Sequence, residues 1–331
     1  MYKQIIRPFL FLLEPERVHS LLFYSLRGYR HLSWLRSWVR HYYKATDKQL
    51  TWNQLVFKSR IGLSAGLDKN AEAFNELADF GFGFIEIGTV TPDEQPGNPK
   101  PRIFRLPKAD SLISRTGFNN PGLEVVKHRL QERSGTFLLG VNINKNAPSE
   151  GEAAVNDFLK LYTELYGTAD YFTLNWGSVD TSLMHKVLEA LTAFRSKQEI
   201  FRPLLLKIPA DITREAMDAV LECIRIYRIQ GVIATGPTMD RSNLSSYTPA
   251  QLEAIGAGGV SGKGIGEKSL QAVKYLRAHS EKGMLIIGAG GVMTPGDAKK
   301  MLEAGANLIQ IYSSFIYEGP AIVKKMIEAI R

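Results

Sequence analysis

Eight short apolar runs rich in β-branched residues punctuate the chain, at 61–65, 84–88, 137–142, 171–175, 204–208, 231–234, 285–288 and 308–312. Nearly every run is followed by a stretch with helical spacing: 71–80, 121–133, 155–166, 182–194, 214–227, 268–279, 295–304 and 320–330. Strict β/α alternation favours parallel βαβ units, because a parallel neighbour needs a helical crossover. Eight such units predict an α/β fold of the closed (β/α)8 TIM-barrel type, with an open doubly wound sheet as the alternative. Two gaps, 89–136 and 236–284, are too long for one helix each, and long loops in compact domains are usually functional.

A separate segment precedes the barrel. Val18, Leu21, Leu22, Leu26 and Tyr29 recur at helical spacing, and Leu32, Leu35, Val39 and Tyr42 suggest a second short helix. We therefore divide the chain into a helical extension, 1–45, and a barrel, 46–331. The formal charge of +8 is concentrated in the extension. Lys3, Arg7, Arg17, Arg27, Arg30, Arg36, Arg40 and Lys44 face only Glu14 and Glu16 there, among many aromatic residues. The near-neutral remainder has no basic excess for a phosphate backbone, so nucleic acid is not an expected partner. A basic, aromatic helical segment is expected to cap the barrel, to lie on an anionic membrane surface as a peripheral contact, or to do both. One cysteine, Cys223, excludes an internal disulfide framework. The histidines show no metal-ligand spacing, so no metal site is expected.

Barrel enzymes carry their chemistry at the C-terminal ends of the strands. Those positions read Ala65-Gly66-Leu67-Asp68-Lys69, Thr89, Asn142, Asn175, Lys207, Thr235, Gly290-Gly291 and Tyr312-Ser313. Lysine and asparagine are costly to bury unless something there needs them. The last third adds Gly258-Gly259-Val260-Ser261-Gly262, Gly288-Ala289-Gly290-Gly291 and Tyr312-Ser313-Ser314. Glycine-rich turns after the last strands predict a phosphate site; ordinary turn glycines are the alternative.

Longer motifs then resemble a known family. Pro15-Glu16-Arg17-Val18-His19, Ser64-Ala65-Gly66-Leu67-Asp68-Lys69-Asn70, Gly81-Phe82-Gly83-Phe84-Ile85-Glu86-Ile87-Gly88-Thr89-Val90-Thr91 and Gly117-Phe118-Asn119-Asn120 resemble the quinone-dependent (class 2) dihydroorotate dehydrogenases. So do Pro96-Gly97-Asn98-Pro99-Lys100-Pro101-Arg102-Ile103-Phe104-Arg105-Leu106 and Gly231-Val232-Ile233-Ala234-Thr235. The resemblance implies oxidation of dihydroorotate to orotate in pyrimidine biosynthesis, with FMN as cofactor and a membrane quinone as acceptor. It implies flavin contacts at Ala65, Gly66, Lys69, Thr89, Asn142, Asn175, Lys207, Thr235, Gly262, Gly291, Tyr312 and Ser313. Ser178 stands where the family has its catalytic base. Lys69, Ser114, Thr116, Gly117, Phe118, Asn175, Asp180 and Gly236 fall at substrate positions, and His19, Arg105 and Tyr312 at quinone positions. A peripheral location on the cytoplasmic face of a membrane would follow.

The substrate positions depart from the family. Its members read Asn-x-Ser-Ser/Cys-Pro-Asn-Thr-Pro-Gly-Leu-Arg after the fourth strand, where this chain reads Asn175-Trp176-Gly177-Ser178-Val179-Asp180-Thr181-Ser182-Leu183-Met184. Ser114, Asp180 and Gly236 each replace an asparagine of the family pattern, and the Pro-Gly-Leu-Arg segment is missing. A carboxamide pairs with both the N–H and C=O groups of a dihydropyrimidine, so these changes weaken the implied clamp. Asp180 is expected to repel an anionic substrate. A flavin enzyme for another small substrate, or a flavin-binding protein without turnover, are the alternatives at this point.

Overall fold

A computed structural model describes residues 2–177 and 180–331. Three helices come first: α1 (Arg7–Leu12), α2 (Pro15–Arg30) and α3 (Ser33–Tyr43). A hairpin follows, β1 (Leu50–Trp52) against β2 (Leu55–Phe57). Eight parallel strands then close into a barrel: β3 (Ile61–Leu63), β4 (Phe84–Val90), β7 (Leu138–Ile143), β8 (Tyr171–Asn175), β9 (Leu204–Ile208), β10 (Gly231–Ala234), β12 (Leu285–Ala289) and β13 (Leu308–Ile311). Each pairs with its successor in the barrel, and β13 returns to β3. All eight apolar runs are barrel strands, so the closed barrel stands and the open sheet falls.

The main helices around the barrel are α4 (Phe74–Ala78), α5 (Leu123–Leu130), α6 (Gly151–Leu165), α7 (Thr181–Arg195), α8 (Arg214–Ile226), α10 (Gly266–His279), α11 (Pro295–Glu303) and α13 (Ala321–Ile330). Shorter helices α9 (Pro249–Ile255) and α12 (Ser313–Glu318) complete the set. The helix expected over 71–80 shrinks to five residues. The Asp68 carboxylate accepts from the N–H groups of Glu72 (2.7 Å) and Ala73 (2.9 Å), and this holds 68–73 in a turn.

Two parts of the fold escaped the sequence pattern. The hairpin packs Leu55 and Phe57 onto Phe84, Tyr171, Leu205, Ile233 and Leu308, closing the bottom of the barrel. The two long gaps contribute β5 (Ile103–Leu106), β6 (Ser111–Ser114) and β11 (Gly259–Gly262), which form one antiparallel sheet in the order β11-β6-β5. What looked like two independent loops is therefore a single roof beside the strand C-termini.

The barrel interior is layered, because alternate residues of each strand point inward. Phe84 and Tyr171 fill the lower layer, each against a glycine, Gly62 and Gly140, where a Cβ would run into the ring. Above them the layer turns polar, with Glu86, Asn142, Thr173, Lys207 and Gln310.

The N-terminal helices sit on the barrel through both core and charge. Phe23, Leu26 and Val39 are buried. The basic residues do not form a free cationic face. Lys3 pairs with Glu318 at 2.7 Å, Arg27 with Glu72, Arg30 with Glu76 (3.1 Å) and Glu132 (2.9 Å), Arg36 with Asp79 (2.7 Å), and Arg40 with Asp79 (3.4 Å). Arg17 pairs with Glu14, and Arg7 donates to the Tyr317 carbonyl. The expectation of a basic docking surface is thus corrected: the barrel's own acids take up most of that charge. The solvent-facing side of the segment is apolar and aromatic instead, with Phe9, Leu12, Tyr24, Trp34, Trp38 and Tyr42 all more than half exposed.

Candidate active site

A cavity of about 530 Å3 opens at the C-terminal end of the barrel, bounded by the strand ends and the β5-β6-β11 roof. Ala65, Gly66, Lys69, Thr89, Asn142, Asn175, Lys207, Thr235, Gly262, Gly291, Tyr312 and Ser313 all line it. Residues from all eight barrel strands or the turns that follow them thus meet in one space.

Its lower wall is a continuous polar network. Glu86, wholly buried on β4, accepts from Asn142 Nδ2, Tyr171 OH and Thr173 Oγ1 (each 3.2 Å) and from Gln310 Nε2 (2.8 Å). Asn142 Oδ1 accepts in turn from Thr89 Oγ1 (2.7 Å) and Asn175 Nδ2 (2.8 Å). Lys207 donates to Ser64 Oγ at 3.1 Å. Burial lowers the Lys207 pKa, and the Glu86 carboxylate opposes that shift. Burial pushes the Tyr312 hydroxyl up to about 12, so it is protonated at neutral pH. Lys69 donates to Asn119 Oδ1 at 2.8 Å. Burial, helped by the charge of Arg102, lowers Lys69 to about 8.

The substrate positions divide. Lys69, Ser114, Thr116, Gly117, Phe118, Asn175 and Gly236 line the same cavity. Gly236 leaves open space, since an added Cβ would find nothing nearer than the Ile208 carbonyl oxygen at 3.6 Å. Asp180 is not among the lining residues. It is exposed and caps α7, its carboxylate accepting from the Leu183 N–H at 2.8 Å. The carboxylate on which that expectation rested is engaged at a helix terminus, the usual use of Asp at that position. Ser178 lies outside the described residues.

Of the three quinone positions only Tyr312 lines the cavity. His19 and Arg105 occupy the seam between the N-terminal helices and the barrel. His19 Nε2 lies 2.8 Å from the Leu67 carbonyl, and its ring stacks on Phe23. Burial lowers its pKa and favours the neutral ring, whose N–H then donates to Leu67. Arg105 donates to the Leu10 (2.9 Å) and Leu13 carbonyls at the end of α1, and lies over the Phe11 ring. Phe11 and Tyr312 both pack on the cluster of Leu112, Met293 and Tyr317, so the seam reaches the cavity wall.

Comparison with known proteins bears directly on this site. The sequence profile of the dihydroorotate dehydrogenase family matches residues 49–331. A dihydroorotate dehydrogenase (quinone) of Christiangramia forsetii is 38% identical, covering 100% of this chain and 98% of its own length. One from Proteus mirabilis is 36% identical, with 100% of both chains covered. The chain belongs to the dihydroorotate dehydrogenase family. Among solved structures, the Eimeria tenella enzyme in complex with ferulenol superposes with a TM-score of 0.82 at 28% identity, covering 95% of this chain and 90% of that one. These dihydroorotate dehydrogenase relatives are of the quinone type, and the match includes the N-terminal helices that the family profile leaves out.

As a member of this flavin-dependent family, the chain has a cavity whose residues suit a flavin. The buried carbonyl oxygen Oε1 of Gln310 has no hydrogen-bond partner among the described residues, and Gln310 lies in the cavity wall. It calls for an N–H donor, which a flavin ring supplies. The other lining groups, two lysines and several amides and hydroxyls, match a ring with several acceptors. Sequence reading missed Ser64, Trp176, Pro209, Met293, Glu86 and Gln310 as parts of the site or its support. Glu86 and Gln310 had a signal: Glu86 is the one charged residue of its strand and Gln310 the one polar residue of its strand, each at an inward-pointing position.

Proposed function

We propose that this protein oxidises dihydroorotate to orotate with FMN as its bound cofactor and passes the electrons to a membrane quinone. The observation that carries the reading is one cavity in which all twelve implied flavin positions meet, adjoining a seam under the N-terminal helices. When bound, FMN supplies the two-electron acceptor between substrate and quinone.

The chain's residues would divide the work as follows. Lys207 would stand beside the ring and favour the electron density that rises there on reduction. The turns at Gly262, Gly291 and Ser313 would hold the phosphate through backbone and hydroxyl donors. Lys69 would pair with the substrate carboxylate, and Asn175 would bond the ring edge, while Ser114, Thr116, Gly117, Phe118 and Gly236 shape the rest of that half. Ser178 is assigned the proton leaving C5; an isolated serine is a weak base, so the assignment requires a dry site. His19, Arg105 and Tyr312 would border the quinone.

The N-terminal segment, 1–45, would dock on the cytoplasmic face of a membrane by its aromatic face, since its cations are engaged on the barrel. Among the described residues no helix is long and apolar enough to cross a membrane.

The deciding experiment uses purified protein under anaerobic conditions. Dihydroorotate should bleach the flavin band at about 450 nm, and a soluble quinone should restore it. An unbleached, fully loaded flavin would sink the orotate assignment and revive a diverged enzyme for another small substrate. Binding to neutral vesicles should persist in high salt; loss of binding in salt would return the docking role to the basic residues.

A further inference from the structure

Glu86 touches no solvent and is assigned to nothing in the reaction, yet four donors from three other strands converge on it. We propose that Glu86 is a positioning residue for the flavin, acting by fixing which way the Asn142 side chain faces. The inference rests on the flavin reading above.

The argument is one of donor and acceptor count. In all four of its contacts the Glu86 oxygens accept, so this side chain serves its neighbours only as an acceptor. Glu86 Oε1 is met by Asn142, and Glu86 Oε2 by Tyr171, Thr173 and Gln310. The Asn142 amide must therefore turn its NH2 toward Glu86 and its oxygen away. That oxygen then accepts from both Thr89 and Asn175. One buried acceptor thus orders three cavity-lining residues in sequence, and Asn142 flipped would set its NH2 against the Asn175 NH2. Gln310 is fixed by the same rule, which leaves its Oε1 facing away from Glu86 with no partner among the described residues.

A purely structural Glu86, tying β4 to β7, β8 and β13, would be felt in the melting of the barrel alone. The two roles separate in a pair of variants of the full-length chain, stripped of flavin and titrated with FMN by fluorescence quenching. In Glu86→Gln the new side chain keeps its shape. Its oxygen can serve Tyr171, Thr173 and Gln310, but its NH2 opposes that of Asn142 and forces the flip. The FMN dissociation constant is expected to rise about ten- to a hundredfold, the effect of one or two unsatisfied buried groups.

In the double variant Glu86→Gln with Asn142→Asp, the carboxylate moves from β4 to the neighbouring strand β7. There it accepts from the amide introduced on β4 and from Thr89 and Asn175 together, so every group is paired again. Asn142 is itself a flavin position, so FMN affinity should recover only in part, to a value clearly above that of the single variant. The double variant also covers the case in which the single one does not fold. Glu86→Gln binding FMN within twofold of the parent overturns the proposal, and so does a double variant no better than the single. A parent protein that takes up no FMN overturns the flavin reading beneath it.

Discussion

The two halves of the cavity are built on different principles. On the side proposed for the flavin, Glu86, Asn142, Thr89, Asn175 and Gln310 hold one another in a dense network rooted in the barrel interior, with the Gln310 Oε1 left open for a ligand. The side proposed for the substrate is sparse. Ser114 and Gly236 offer little to bind, and Asp180 has been drawn off to cap α7. A dense network resists change because each member's loss strands the others, whereas a sparse wall can be altered one position at a time.

Four measurements would break or sharpen that contrast. The largest effect should come from Asn142→Ala, which leaves Glu86 short of a donor and Thr89 and Asn175 short of an acceptor. FMN affinity should fall roughly a hundredfold, equivalent to a few kcal/mol. A change below threefold would mean that the flavin side is no more coupled than the substrate side.

Next comes Lys69, which serves both sides. Burial lowers its pKa to about 8, so the folded protein gives up the ammonium charge as pH rises through that value. The kcat/KM for dihydroorotate, which reports the free enzyme, should be flat below the break and fall about tenfold per unit above it. Lys69→Gln should be slower throughout and lack the break.

Gly236→Asn tests the sparse side directly. There is room for the Cβ, so melting should be nearly unchanged, while a regained amide contact should lower KM about fivefold, the worth of roughly 1 kcal/mol. An unchanged KM would mean that the substrate is held without an amide there. The smallest kinetic effect belongs to Asp180→Ala. It should cost about 1 kcal/mol of stability through the lost cap and alter kcat/KM less than twofold. A tenfold gain in kcat/KM would return Asp180 to the substrate's side.

The same contrast governs what could be read in the sequence. Strands and strand-end residues were legible because inward alternation and polar termini leave a local signature, as at Lys207 and Asn142. The roof was not, since β6 and β11 lie far apart in the chain and pair only in space. Asp180 reads two ways for a related reason: a carboxylate three residues before a backbone N–H looks the same in the sequence whether it caps a helix or meets a ligand. Glu86 was visible as an oddity in β4, but its purpose depends on Tyr171, Thr173 and Gln310, which only the closed barrel brings to it.

The seam between the N-terminal helices and the barrel has one more consequence. Its arginines answer carboxylates on α4 and in the loops around it, Lys324 of α13 donates to the Tyr42 carbonyl, and Arg331 donates to Thr46. A gene spliced near codon 45 would separate charges that have their counterparts on opposite sides of the joint. Recombination between distant relatives at that point would leave mismatched acids under a foreign cap, so the N-terminal helices and the barrel are expected to be inherited together rather than shuffled as modules.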